Sequence, residues 1–322
     1  MKISLVIPVF NESKTIAELI STIKAQSLQP DRVIFVDGGS VDNTVQLLKE
    51  LTFNDSHFFI IEVKRALPGE GRNIGAANAK NEWIAFTDAG IKLDNKWLEY
   101  LVKRSEEQPG AAIIYGNYAP QVNNFFDKCS TIAYVPPAKE SAIRGKSIVS
   151  CLLKKEVWEN AGGFPPWRAT EDLVFMEKAE ALDYNIAMSP EAVAWWKLQP
   201  AIDSVFKKFD LYSKWNVWAG RQAYWHYGIA RQYILMLIPL LLSIFHSWYW
   251  LLAIPLWILA RVAKRIILHR YEFGLKNLFN PAVVCMVALI TLVIDAATFS
   301  GWIKAIISKP PFDQKIKHLQ KA

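Results

Sequence analysis

The chain has 322 residues with a formal net charge of +7, and 52% of the residues are hydrophobic, including 13 tryptophans. This length holds one sizeable α/β domain and a further module, and the apolar surplus is expected to face lipid. The positive charge flanks apolar segments, which favours an anionic membrane surface and argues against nucleic acid as a partner. Cys129, Cys151 and Cys285 form neither a metal-ligand spacing nor a paired framework, which indicates a reducing compartment.

The first half of the chain alternates strand and helix patterns. We predict strands at 2–10, 32–37, 58–63, 83–87 and 111–117, with helices beginning near Ser13, Asp42, Gly71 and Asp94. A second block at 148–196 contains a strand-like run, a Gly-Gly turn and a helix after Thr170. Repeated βα units predict a mostly parallel sheet with helices on both faces. The first residues resemble a core strand and lack a leader pattern, so this half is expected in the cytosol.

The C-terminal part is predicted to be associated with a membrane. Region 200–228 interleaves aromatic and basic residues, which favours a helix in the membrane interface, with an ordinary core helix as the alternative. The stretch 232–260 lacks formal charge and exceeds a bilayer's roughly 30 Å thickness, as one long tilted helix or as a hairpin turning near 243–247. A second apolar segment runs over 281–294 and continues past Asp295 to 307. A buried pair of core helices is the alternative for both segments.

The charges around these segments predict their topology. Segment 261–276 is basic and is expected in the cytosol, which requires the hairpin, with Arg261 and Lys264 snorkelling to the interface. Asp295 is costly in lipid, which indicates a buried or water-facing position for it. We therefore expect the last segment to cross incompletely or to return, leaving the C-terminus in the cytosol. The predicted domains are an α/β domain at 1–199, an interfacial region at 200–228, a transmembrane anchor at 229–308 and a basic tail at 309–322.

Polar side chains follow three of the predicted strands. Asn11 and Glu12 follow the first, Asp37 ends the second within VDGGSVDNT, and Asp88 follows the fourth within FTDAG. Strand ends of a parallel sheet share one edge, and ligands bind in the crevice there. These residues are therefore expected to converge on one site.

The residue types indicate what this site binds. The Asp37 carboxylate can accept hydrogen bonds from a nucleotide base or ribose, and the glycines after it allow a close backbone approach, although a plain turn also explains DGGS. Arg72 and Asn73 open a helix, where a cation and free N–H groups suit a diphosphate; a surface salt bridge is the alternative. Asp88 ends a buried strand and suits a divalent cation, Mg²⁺ or Mn²⁺, or serves as a cap.

The string RATEDL contains a candidate general base. Glu171 and Asp172 precede a predicted helix, and a carboxylate there can remove a proton from an acceptor hydroxyl. The alternative is a capping arrangement in which Thr170 is the cap and the acidic residues favour the helix N-terminus.

Over about residues 1–200 the chain resembles family 2 glycosyltransferases of the GT-A fold. The resemblance lies in the order and spacing of six motifs: SLVIPVFNE, VDGGSVDNT, GRNIGAANA, WIAFTDAG, GGFP and TED. The resemblance implies that Asp37 holds the nucleotide base, that Asp88 contacts the ribose or a metal, and that Asp172 is the catalytic base of an inverting displacement. The predicted catalytic pair is Asp172 and Glu171, and the predicted metal ligand is Asp88. The predicted nucleotide-sugar contacts are Pro8, Asn11, Glu12, Asp37, Gly39, Ser40, Arg72, Asn73 and Asp88.

Two departures from the family pattern affect the prediction. The Asp-x-Asp motif reads Asp88-Ala89-Gly90, so the second carboxylate is missing, which argues against a tightly held metal. The Gln-x-x-Arg-Trp motif of processive synthases is replaced by Gln222-Ala223-Tyr224-Trp225, which argues against polymerisation. We therefore expect a single transfer to a lipid-linked or membrane-proximal acceptor, in glycolipid or cell-envelope glycan synthesis. The expected location is the cell membrane, with several passes and a cytoplasmic catalytic domain.

Two other classes of protein are compatible with parts of this pattern. A scaffold that kept the fold but lost catalysis would explain the missing aspartate, although Arg72, Glu171 and Asp172 argue against it. A nucleotidyltransferase would use the same sheet edge, but it needs a basic, glycine-rich loop after the first strand, where this sequence has PVFNES.

Overall fold

The computed structural model describes residues 1–138 and 144–311. Within this range the chain forms two compact units. The first comprises Met1–Gln121 and residues 144–197, and the second comprises Val122–Ala138 and residues 198–311. The predicted tail at 309–322 lies mostly outside the described residues.

The first unit is built on one eight-stranded sheet with the strand order β3-β2-β1-β4-β7-β6-β8-β5. Strands β1 to β4 are mutually parallel, while β7 runs antiparallel to both β4 and β6. The sheet is therefore mixed and mostly parallel, as predicted for an α/β fold. The strands are β1 (Ile3–Val9), β2 (Arg32–Asp37), β3 (Phe58–Glu62), β4 (Trp83–Phe86), β5 (Ile91–Leu93), β6 (Ile113–Gln121), β7 (Cys151–Lys154) and β8 (Ile186–Lys197).

Helices cover both faces of this sheet. They are α1 (Ile16–Lys24), α2 (Thr44–Leu51), α3 (Pro68–Asn78), α4 (Trp97–Glu107), α6 (Lys155–Asn160) and α7 (Glu171–Ala181). Alternate β1 residues enter different cores: Leu5 and Ile7 join the core that includes α1 and α4, while Val6 joins the core that includes α3 and α7. Because the central strands are buried on both faces, they appear in the sequence as continuous apolar runs.

All five predicted strands are present with small shifts in their bounds, and the strand-like run predicted within 148–196 contains β7, but β5 and β8 were missed. β5 has only three residues. β8 has twelve residues and contains Pro190 and Glu191, which weaken a strand pattern. Ser13 was predicted to cap the first helix, but Thr15 holds the cap position before Ile16, so this prediction is wrong by two residues.

The second unit is helical. It consists of α5 (Phe125–Tyr134), α8 (Ile202–Trp218), α9 (His226–Phe245), α10 (Ala253–Leu268), α11 (Arg270–Phe273) and α12 (Pro281–Ile307). Its core combines buried apolar residues of α5, α8, α10 and α12, among them Ile132, Val205, Ile266 and Ile290.

Two of these helices are long and apolar enough to cross a membrane, by length and composition alone. They are α9, with 20 residues, and α12, with 27. The apolar stretch of α9 is almost entirely unburied, whereas 44% of that of α12 is buried. Between α9 and α10 the helix is interrupted at His246 and Ser247, close to the predicted turn.

The structure corrects one expectation about the last segment. α12 is one uninterrupted helix through Asp295, so the segment does not return within its length. Asp295 is 2% exposed and accepts hydrogen bonds from Arg261 and Tyr233. Arg261 is therefore paired inside the unit, and the prediction that it snorkels to the interface is wrong.

α8, in the predicted interfacial region, packs along α12. The Ser213 hydroxyl donates to the Thr298 carbonyl at 2.6 Å, and the Trp218 indole N–H donates to the Ala305 carbonyl at 3.2 Å. Trp215 is buried, while Tyr212 is 40% exposed. One face of α8 thus belongs to the core of the second unit, and the position of its other face in a membrane interface stays a prediction.

Candidate active site

The turn after β2 is organised by the Asp37 carboxylate. Its Oδ2 accepts hydrogen bonds from the backbone N–H groups of Gly39 and Ser40, both at 3.0 Å, and its Oδ1 accepts from the Ser40 hydroxyl at 2.5 Å. Gly39 has φ +91°, and a Cβ there would lie 2.3 Å from the Lys64 carbonyl oxygen, so only glycine fits. Asp37 is buried at the predicted edge of the sheet. Both of its carboxylate oxygens accept hydrogen bonds from residues of its own turn.

The loop after β1 is joined to this turn. The backbone N–H of Asn11 donates to the Ser40 hydroxyl at 2.8 Å, and the Asn11 side-chain oxygen accepts from the Val41 N–H at 2.9 Å. The next residue, Glu12, donates its N–H to the Thr44 hydroxyl at 2.8 Å. β1 and β2 are in register up to Val9 and Asp37, which explains why these loops meet. The two loops therefore form one edge of the sheet, as predicted, and this edge contains Asn11, Glu12, Asp37, Gly39 and Ser40.

The Glu12 carboxyl group lies close to the loop after β4. Burial raises the pKa of Glu12, a hydrogen bond from Thr15 opposes this shift, and the nearby carboxylate of Asp88 adds to it. A Cβ at Gly90 would lie 3.4 Å from Glu12 Oε2. The carboxyl groups of Glu12 after β1 and Asp88 after β4 therefore lie near each other.

Arg72 joins the β4 end to the start of α7. One terminal nitrogen, Nη2, donates to Asp88 Oδ1 at 2.5 Å, and the other, Nη1, donates to Glu171 Oε1 at 2.7 Å. The guanidinium lies 5.5 Å from the centroid of the Phe164 ring, and Arg72 is 3% exposed. The predicted alternative of a surface salt bridge is wrong for Arg72, because its guanidinium is buried in both ion pairs.

Asn73 contacts the loop that contains the Gly-Gly turn. Its side-chain oxygen accepts from the Phe164 N–H at 2.8 Å and from the Trp158 indole at 3.0 Å, and its amide donates to the Phe164 carbonyl at 2.7 Å. The start of α3 approaches the same loop, where the Gly69 N–H donates to the Trp167 carbonyl at 3.2 Å. Asn73 therefore holds the loop in place, and its contact with a nucleotide sugar stays a prediction.

α7 begins with a strained residue and two carboxyl groups. Thr170 has φ +68°, which is unusual for a β-branched residue, and its hydroxyl bonds the Ala169 carbonyl and makes no capping bond to α7. Thr170 thus occupies the capping position without capping. Glu171 is 5% exposed, and its Oε2 has no hydrogen-bond partner among the described residues. Asp172 is half-buried, and its Oδ1 accepts from the Leu173 N–H at 2.8 Å.

The environment of this pair alters its protonation. Burial raises the pKa of Glu171 to about 7, and the ion pair with Arg72 opposes this shift. Burial also raises the pKa of Asp172, while Arg72 lowers it and Asp88 raises it. A carboxylate whose pKa is shifted towards neutrality at a strand-end edge is suited to general-base catalysis.

The donor set does not fit a divalent cation held by the protein alone. One Asp88 oxygen is already bonded to Arg72, and position 90 is glycine. Across residues 1–138 and 144–311, no group of three His, Cys, Asp or Glu side chains is arranged to hold a metal ion. Mg²⁺ usually binds through one or two carboxylates together with substrate phosphates and water. A cation at Asp88 therefore needs most of its ligands from a diphosphate.

This edge, with the turn at Asp37 and the carboxyl pair at the start of α7, has the arrangement expected of a nucleotide-sugar transferase of GT-A architecture. Residues 4–163 match the family described as Glycosyl transferase family 2, and the chain belongs to this family. A poly-beta-1,6-N-acetyl-D-glucosamine synthase of Staphylococcus epidermidis is 26% identical over 218 residues, which cover 64% of this chain and 52% of the relative. The Staphylococcus aureus (strain COL) synthase is 24% identical over 217 residues, with the same coverage. The match thus spans about half the length of these curated relatives.

Solved structures share the fold. Crystal structures of S. aureus TarS 1-349 in complex with UDP and with UDP-GlcNAc superpose with TM-scores of 0.52 and 0.51. Each is 16% identical, and each comparison covers 98% of this chain and 95% of the other. At this identity the likeness establishes the fold, and it confirms the predicted GT-A class.

The sequence did not reveal two participants in the site. Phe164 supports the Arg72 guanidinium and stacks on Phe175 at 4.0 Å between ring centroids. Arg168 is exposed and lowers the pKa of Glu12 through its charge, against the larger effect of burial. The aromatic residue directly after Gly162-Gly163 was an available signal for Phe164, whereas a single arginine in a loop carried none.

Proposed function

We propose that this enzyme transfers a sugar from a nucleotide-diphosphate sugar to a hydroxyl of a lipid-linked or membrane-proximal acceptor. The observation that carries the proposal is the single sheet edge shared by Asp37, Asp88 and the Arg72–Glu171 pair, with Asp172 adjacent in the sequence. A direct displacement requires a nucleotide-binding residue and a base, and we assign these roles to Asp37 and Asp172.

The proposed reaction has one displacement step. The Asp172 carboxylate takes the proton of the acceptor hydroxyl, and the acceptor oxygen attacks the anomeric carbon. The bond between that carbon and the diphosphate oxygen breaks, and the nucleotide diphosphate leaves with the electron pair. Attack from the face opposite the leaving group inverts the anomeric centre.

The relatives suggest the donor class to test first. One solved relative of the same fold contains UDP-GlcNAc, and the curated relatives are named as synthases of an N-acetylglucosamine polymer. We therefore propose a UDP-linked sugar as donor. We propose a single addition, because the processive motif is absent; the corresponding residues Gln222–Tyr224 form a short 3-10 turn after α8.

A membrane location is supported by the surface of the second unit. The exposed apolar side chains of α9 and the following turn include Leu237, Phe245, Trp248 and Tyr249. Aromatic residues near the end of an apolar helix are typical of a membrane interface. We propose that the second unit anchors the enzyme in the cell membrane with the catalytic unit in the cytoplasm.

The test uses the full chain in nanodiscs. Labelled nucleotide sugars are incubated with total membrane lipid, the glycosylated product is identified, and its anomeric configuration is determined by NMR. Asp172→Asn serves as the matched inactive control. Product that forms equally with both proteins, or with neither, contradicts the proposal.

A further inference from the structure

The Arg72 guanidinium is already occupied by carboxylates. Its two terminal nitrogens are bonded to Asp88 at 2.5 Å and to Glu171 at 2.7 Å. Three further N–H groups remain, one on each terminal nitrogen and one on Nε. The Nε–H is buried and has no hydrogen-bond partner among the described residues. Because Arg72 is only 3% exposed and both terminal nitrogens are bonded to carboxylates, a ligand arriving at the edge meets very little of this side chain.

The local charge also opposes a diphosphate at Arg72. The single positive charge of this arginine interacts with three carboxyl groups, those of Asp88, Glu171 and Asp172. A diphosphate placed against Arg72 would have to displace one of these carboxylates and leave it unpaired, which is unfavourable in a buried site.

We infer that Arg72 is a positioning residue that holds the general base at the donor edge, and that it is not a ligand of the diphosphate. This inference rests on the proposed function, because it assigns the base to Asp172. The guanidinium fork extends from α3 to two elements far apart in sequence: the end of β4 through Asp88 and the first turn of α7 through Glu171.

The first turn of α7 has few other attachments on its side chains. Thr170 provides no capping bond, and Glu171 Oε1 bonds Arg72 while Oε2 has no hydrogen-bond partner in the described part of the chain. Asp172 is the next residue, so its position follows that of Glu171. Loss of the Arg72 fork therefore allows the base to move relative to the anomeric carbon, and a misplacement of about 1 Å can lower turnover roughly 100-fold.

Arg72 also affects the charge of the base. The charged groups that interact with Asp172 are Arg72 from α3, Asp88 after β4 and its own neighbour Glu171. Burial and Asp88 raise the pKa of Asp172, and Arg72 opposes them. Without the arginine the carboxyl group deprotonates at a higher pH, so the acidic limb of the turnover profile moves to higher pH.

The test compares Arg72→Met with Arg72→Lys. For Arg72→Met we expect kcat to fall about 100-fold, the acidic limb of kcat to move to higher pH, and the Kd of UDP by calorimetry to change less than about threefold, which is under 0.7 kcal/mol. Lysine keeps the charge but cannot bond both carboxylates with a rigid fork. Arg72→Lys should therefore keep the acidic limb near its original pH while kcat stays low.

Arg104→Met is a matched control, because Arg104 also lies beside two carboxylates, Glu107 and Glu191, away from this edge. Its kcat and pH profile should be unchanged. A tenfold or greater loss of UDP affinity in Arg72→Met with an unshifted acidic limb would overturn the inference and make Arg72 a diphosphate ligand. If Arg72→Met does not fold, Arg72→Lys with unchanged kcat overturns it equally. Full activity of Asp172→Asn is a separate result, which contradicts the proposed function itself.

Discussion

Arg261 donates two hydrogen bonds to Asp295, from Nη1 at 2.5 Å and from Nη2 at 3.0 Å, and so joins α10 to α12. The Tyr233 hydroxyl of α9 donates to the same carboxylate at 2.8 Å. Three apolar helices are thus connected through one buried acid. A charged side chain within such helices is costly unless it is paired, and this pair satisfies that requirement.

We predict that breaking this pair destabilises the second unit more than removing both charges. Arg261→Leu leaves Asp295 buried without its cation, at a cost of about 3–5 kcal/mol, whereas Arg261→Leu with Asp295→Leu should cost less. Tyr233→Phe removes one hydrogen bond and serves as the mild control, at about 1 kcal/mol. Thermal unfolding of the four proteins in one detergent gives the order of stability. A double variant less stable than Arg261→Leu contradicts the prediction.

Asp172→Asn should keep the fold and nucleotide binding but lower turnover by about two to four orders of magnitude, the usual contribution of a positioned base. The amide oxygen can still accept from the Leu173 N–H, so the start of α7 should be preserved. The measurement is kcat with the donor at saturation, beside calorimetric binding of UDP. Transfer at close to the original rate would assign the base elsewhere.

Asp37→Ala should weaken binding of the nucleotide diphosphate by about 10- to 100-fold, if the lost hydrogen bonds to a charged group are worth about 1.5–3 kcal/mol. The carboxylate also shapes its own turn through Gly39 and Ser40. Ser40→Ala separates the two roles, because it removes one bond to the carboxylate and keeps the charge. If Ser40→Ala weakens binding as much as Asp37→Ala, the aspartate acts through the turn alone.

Activity should depend on Mg²⁺ or Mn²⁺ only at fairly high concentration. Asp88 supplies one carboxylate, which Arg72 already neutralises in part, so the diphosphate and water must complete the coordination shell. A metal titration of kcat/KM beside a metal titration of UDP affinity is the measurement. Full activity in excess chelator would remove the cation from the mechanism.

The central sheet was predictable because each parallel strand is a short apolar run buried on both faces, as in β1 and β2. The convergence of Asp37 and Asp88 followed from strand direction alone. The ion pair between Arg72 and Glu171 could not be predicted in this way, because the two residues are 99 positions apart in the sequence. Ion pairs of this kind depend on the packing of α7 against α3, which no local pattern encodes. The Arg261–Asp295 pair was missed for the same reason, since each residue was interpreted against lipid and not against the other.

The last prediction concerns the membrane topology of the second unit. The unbroken α12 favours a full crossing, whereas the positive charges near both of its ends favour the cytosol. α12 is unbroken and about 40 Å long at 1.5 Å per residue, so a full crossing would place its two ends on opposite sides. Segment 261–276 is basic and is expected in the cytosol, as are the lysines after α12. We therefore predict that α12 crosses incompletely, with residue 309 accessible only from the cytosol.

Cysteine labelling with a membrane-impermeant reagent tests this topology. Of the native cysteines, Cys129 and Cys151 are buried and Cys285 is exposed, so single cysteines are introduced into a Cys285→Ala background. A cysteine at position 246, in the break between α9 and α10, should react from outside, while cysteines at 268 and 309 should be protected until the membrane is opened. Reaction at 268 from outside rules out the hairpin of α9 and α10. Reaction at 309 from outside shows instead that α12 crosses completely.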